Sequence, residues 1–106
     1  MSRVVKEKST NTITVRPKTK DGVLFTPTTV RYRLDDLDSK QELIGWTSAT
    51  PSTAIAITIP GAKNAMISNR KRERKVLTVQ FDQGLDSEVN AEYIYWVKNL
   101  HFAQVA

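Results

Sequence analysis

Apolar and polar residues alternate with a period of two along most of the chain, and Gly, Pro, Asn and Asp interrupt the alternation at short intervals. A period of two sends successive side chains to opposite faces of a strand, so the pattern predicts antiparallel β-structure. Residues 4–7 are a first short candidate. In 12–16, Ile13 and Val15 face one way and Thr12 and Thr14 the other, and Pro17 ends the strand because it has no amide hydrogen for a ladder. Lys20, Asp21 and Gly22 supply a tight turn before a brief apolar segment at 23–25.

Residues 28–34 make the cleanest strand: Val30, Tyr32 and Leu34 share a face fit for a core, while Thr29, Arg31 and Arg33 share one fit for water. A polar turn, DDLDSK, follows, and 42–47 form another short strand carrying Trp46. In 53–59, Ile55, Ile57 and Ile59 point inward and Ala54, Ala56 and Thr58 outward, until Pro60 and Gly61 stop the run. Residues 62–68 hold the one plausible helical turn, too short to stand without tertiary packing. A strand at 75–82 places Leu77, Val79 and Phe81 on one face, and a last, longer strand covers about 88–100. This is roughly seven short strands without βα alternation, which predicts an all-β, single-domain antiparallel β-sandwich over residues 1–106. The ends, 1–8 and 101–106, are expected to form short flexible arms.

Composition narrows the function classes. A chain of 106 residues, 40% apolar and 25% charged, suits one small domain with one core. It contains no cysteine, hence neither a disulfide framework nor a thiolate metal site. No apolar run approaches the ~18 residues of a membrane span, and MSRVVKEKST has no apolar core of a secretory signal. Catalytic chemistry has little to stand on. The single histidine, His101, has no second ligand at metal spacing, and the motifs of hydrolases, zinc proteases and P-loops are missing. No catalytic, cofactor or metal residue is therefore assigned. Asp35, Asp36 and Asp38 read as a solvated turn or a weak cation site, without the glycine and spacing of an EF-hand.

Charge and aromatics point to contacts with partners. Of the chain's net +5, the stretch 70–75 supplies +4 through Arg70, Lys71, Arg72, Arg74 and Lys75 against Glu73. Such a basic loop is open to three readings: a solvated guard beside an edge strand, a docking patch for an acidic protein surface, or a contact to a few nucleic-acid phosphates. No aromatic is interleaved in it, which argues against a base-stacking platform within the segment. The last strand is apolar on both faces, with Tyr93, Tyr95 and Val97 on one and Ile94 and Trp96 on the other. One face of a sandwich strand is inward. The other is then covered by a loop or a chain end, or it forms a subunit interface in which Tyr93, Tyr95 or Trp96 takes part.

Three segments together, TPTTVRYRLDDL, WTSATPSTAIAITI and ERKVLTVQFDQGLDSEVNAEYIYWVKNL, resemble a group of small proteins encoded among bacteriophage structural genes. The anchors are Val30, Tyr32, Arg33, Leu34, Asp35 and Asp36, then Tyr93, Tyr95, Val97, Asn99 and Leu100. The resemblance implies an Ig-like or fibronectin-like sandwich and a non-catalytic virion component, either a capsid decoration protein or a neck or tail accessory. It implies other virion proteins as partners, several copies per particle or a homo-oligomer, and a place in the virion after assembly in the host cytoplasm. A small nucleic-acid-binding module using 70–75 is the alternative; a membrane partner is not expected.

Overall fold

In the computed structural model, which describes residues 3–67 and 71–99, the alternating segments become seven strands and one 3-10 turn. They are β1 (Arg3–Lys6), β2 (Asn11–Val15), β3 (Val30–Asp36), β4 (Glu42–Ala49), β5 (Ile55–Ile59), the turn Gly61–Asn64, β6 (Arg72–Phe81) and β7 (Val89–Lys98). A five-stranded sheet runs in the order β1-β7-β6-β3-β4, and a two-stranded sheet pairs β2 with β5. All neighbours are antiparallel except β1, which lies parallel to β7. With β3, β6 and β7 on one layer and β2 and β5 on the other, the protein is a β-sandwich.

The core forms where the inward residues of both sheets meet. Val15 and Ile59 of the small sheet are fully buried against Leu34, Leu77, Val79 and Val97 of the large one. Each large apolar side chain removed from water contributes roughly 1.5–3 kcal/mol, which makes this interdigitated layer the main source of stability. The alternation of Ile55, Ile57 and Ile59 is reproduced, all three buried while Ala56 and Thr58 are exposed. Residues 4–7, expected both as a strand and within the terminal arm 1–8, overlap the strand Arg3–Lys6, which is locked along β7 with Val5 turned into the core.

Two differences from the sequence reading matter. First, β6 begins at Arg72, so most of the basic stretch is strand and not loop. The ladder with β7 continues from Phe81↔Val89 to Arg72↔Lys98 because Glu73 and Lys75 can turn inward and satisfy each other. Second, the helical turn is one 3-10 turn, Gly61–Asn64, placed as a plug at the end of the sandwich. Its Asn64 is fully buried: Nδ2 donates to Ser9 O at 2.8 Å and to Asn11 Oδ1 at 2.7 Å, and Oδ1 accepts from the Tyr95 hydroxyl at 2.7 Å. Gly61 permits this closure, because a Cβ there would collide with the backbone carbonyl of Lys8.

At the opposite end Asp82 is the fastener. Its buried carboxylate accepts from the Thr28 amide at 2.6 Å, the Thr29 amide at 3.1 Å and the Ser87 hydroxyl at 2.8 Å. The bond set ties the β6–β7 turn to the segment entering β3, and Asp82 holds a left-handed φ of 53° to make it.

Candidate functional site

The outward face of the five-stranded sheet collects the side chains that the core does not use. Cross-strand register arranges them in rows, since residues opposite one another share a face. Lys6, Lys98 and Arg72 form one row across β1, β7 and β6. The next row is Val4, Trp96 and Arg74, and the next Ile94 and Val76 beside Asp35 of β3. Val4 and Ile94 are 48% and 46% exposed, so a small apolar patch with an aromatic in its middle borders a cationic row. Like charges set directly opposite one another weaken a sheet, and three in line are a local cost that an anionic partner would relieve. Lys71, Arg72, Lys98 and Asn99 also line a shallow cleft of about 320 Å³ at this corner.

Farther across the sheet the cations are already engaged by neighbouring side chains. The Arg31 guanidinium stacks 4.1 Å from the Trp46 ring centre and donates to Gln80 Oε1 at 2.6 Å. Arg33 grips Asp35 through two bonds of 2.9 and 2.7 Å and lies 3.4 Å from Glu42. The Asp35 carboxylate holds the Arg33 guanidinium above its ordinary range. Arg74 bonds Asp38 at 2.6 Å while its guanidinium lies 5.6 Å from the Trp96 ring centre. Asp35, Asp36 and Asp38 thus serve three different cations, Arg33, Lys75 and Arg74, rather than one shared ion. Among the described residues no group of three or more His, Cys, Asp or Glu is gathered as metal ligands, and no helix is long and apolar enough to cross a membrane.

The expected contact residues divide. Arg70 lies outside the described residues, as does His101. Lys71 and Arg72 are exposed and available. Arg74 is half-buried and committed to Asp38. Lys75 is a correction: it is fully buried, with its Nζ 3.0 Å from Asp36 Oδ1 and 3.1 Å from Glu73 Oε1, and offers nothing to a partner. Glu73 Oε1 also accepts the Ile67 amide at 2.8 Å, and Asp36 Oδ2 the Ser39 amide at 2.9 Å. The buried charges are thus compensated by hydrogen bonds as well as by each other, as burial requires.

The aromatic strand is corrected in the same way. Tyr95 is 1% exposed and points inward to Asn64, and burial pushes its hydroxyl pKa well above the ordinary range. Tyr93 packs against the core from the same face, its hydroxyl also raised by burial. Trp96 and Ile94 are the pair that look outward, so of the three expected contact aromatics only Trp96 lies on the outer face of the large sheet, half-buried there, while the half-buried Tyr93 stands on the inward face. The sequence reading missed Val4, Lys6 and Lys98 as its neighbours. The period-two pattern of β7 carries a signal for Lys98, two residues beyond Trp96, but the parallel docking of β1 has none.

Compared with known protein families, curated proteins and solved structures, the chain gives no match.

Proposed function

We propose that this protein is a non-catalytic structural component of a phage particle, a capsid decoration or a neck or tail accessory, that docks through the outward face of its large sheet. The observation that carries the reading is the pairing of an apolar patch, the exposed Val4 and Ile94 with the half-buried Trp96 between them, with the row Lys6, Lys98 and Arg72, which has no ion-pair partner among the described residues. An aromatic and aliphatic centre with a charged rim has the anatomy of a protein contact, and the charge selects an acidic surface of the larger assembly. The resemblance to small proteins of phage structural gene clusters supplies the setting. The remaining functional-looking groups, Lys75, Asp36, Glu73 and Asp82, are all consumed in holding the fold.

The test is co-sedimentation of the purified protein with particles assembled without it. Wild-type protein is expected to pellet with them and to be released as salt is raised, because a rim charge is screened over about a Debye length. Ile94→Asp, and separately Lys98→Glu with Arg72→Glu, are each expected to weaken binding at least about tenfold, the scale of one or two contact residues. Binding that ignores both variants would overturn the assignment of this face.

A second reading, a small nucleic-acid-binding module, is favoured by one specific feature: the fold sets Trp96 beside the cationic row, the neighbourhood that the linear basic stretch lacks. It predicts an affinity for single-stranded DNA that falls about 20- to 50-fold between 50 and 200 mM salt, the loss for three or four phosphate contacts. Fluorescence titration at the two salt concentrations checks it, and undetectable or salt-independent binding removes it.

A further inference from the structure

The small sheet has only two strands, so β5 has one edge bonded to β2 and one edge open. Among the described residues, the backbone groups of Ile55–Ile59 bond only within the β2 ladder. Proteins ordinarily blunt such an edge with lysine, proline, a bulge or a covering segment. The large sheet does so: its edge strand β1 ends in Lys6, and its edge strand β4 carries Glu42 and breaks register twice against β3. Within β5, and among the described residues beside it, none of these devices occurs; Pro60 lies just beyond its end. Its five residues, IAITI, contain no charge, proline or glycine and run without a register break. Beside it lies a groove of about 400 Å³ between β5 and β4, and none of its ten lining residues, Tyr32, Ser48, Ala49 and Ala56 among them, is charged. In a chain that is 25% charged, this flank is a deliberate gap in the charge.

We propose that the open edge of β5 pairs with β5 of a second copy of this chain, joining two small sheets into one four-stranded sheet. The sequence of the strand selects a second copy as the occupant. An antiparallel pair with its two-fold axis at Ile57 sets Ile55 opposite Ile59 of the second copy, Ala56 opposite its Thr58, and Ile57 opposite its Ile57. The buried isoleucine face then continues across the junction, and the exposed face meets only small uncharged side chains. Every cross-strand pair is β-branched or small, the combination that a pleated pair accepts best. The chains each carry +5, but the junction itself holds none of that charge, so contact is made where repulsion is least. The other edge of the small sheet is a poorer donor: Glu92 lines the groove beside β2, and the charged Arg16 follows the strand at once. This association is separate from docking by the large sheet and uses the opposite layer.

The experiment is sedimentation equilibrium of the full chain over a concentration series, with hydrogen exchange measured at both ends of it. The mass is expected to rise from 12.0 kDa towards twice that value, and the alternate β5 amides that face away from β2 are expected to slow as concentration increases. Ala56→Lys combined with Thr58→Lys places lysine opposite lysine in two pairs of the junction and is expected to hold the protein monomeric. Thr14→Lys, on the same exposed face but on β2, is expected to leave the dimer intact. A monomer at every concentration overturns the proposal, as does a dimer whose β5 amides exchange unchanged. Neither result bears on particle docking, which is read in a separate assay.

Discussion

Lys75→Ala is expected to lower folding stability by about 3–5 kcal/mol, the cost of leaving buried charge uncompensated. Asp36 and Glu73, 4% and 3% exposed, would lose the ammonium between them and keep no water to replace it. Replacing all three, Asp36→Leu, Glu73→Leu and Lys75→Met, is expected to recover part of the loss, since an apolar cluster needs no compensation. The recovery stays partial because Ser39 and Ile67 then lose acceptors for their amides. Urea denaturation measures both. A loss below about 1 kcal/mol for Lys75→Ala would match an exposed charge instead.

Acid acts on the same cluster. For Asp36, burial by itself raises the carboxyl pKa, but the bonds from Ser39 and Lys75 outweigh it and the net shift is downward. For Asp82, burial again raises, and the Ser87, Thr29 and Thr28 bonds together reverse it. A carboxyl with a lowered folded pKa contributes stability that is complete above its unfolded value, about 4, and is lost as pH falls through the folded value. Stability is therefore expected to be flat from neutral pH to about pH 5 and to decline below pH 4. Asp36→Asn and Asp82→Asn should each flatten that decline while lowering the plateau.

The second large effect is expected at the plug. Asn64→Ala should cost about 3 kcal/mol, because it strands the Tyr95 hydroxyl, the Asn11 carbonyl and the Ser9 carbonyl in a site without solvent. Tyr95→Phe removes only one of these bonds and should cost about 1–2 kcal/mol. The double variant should cost less than the sum of the two, since both act on the bond between them. Additive losses would show that Tyr95 and Asn64 do not bond in solution.

Much of this architecture was legible in the chain because each strand carries its own local signal. The alternation in 53–59 and 28–34 needs only neighbouring residues to be read, and Ile55, Ile57, Ile59, Val30 and Leu34 are buried as expected. Pairings between distant residues carry no local signal. Lys75 and Asp36 stand 39 positions apart, and nothing in RKRERK distinguishes the lysine that turns inward from the arginine that does not. The two apolar faces of β7 were legible as a fact, but which of them is the core depends on the β6 ladder and on Asn64 receiving Tyr95. The row Lys6, Lys98 and Arg72 is assembled from three strands, one of them parallel, and exists only in the fold.

We propose that this sandwich is a built-in part of a phage particle. Quantitative mass spectrometry of purified particles, grown from the genome that encodes this chain, tests it most directly. A fixed copy number is expected: hundreds for a decoration role across the capsid, or on the order of three to twelve for a symmetric neck or tail ring. Absence of the protein from the purified particle would contradict it.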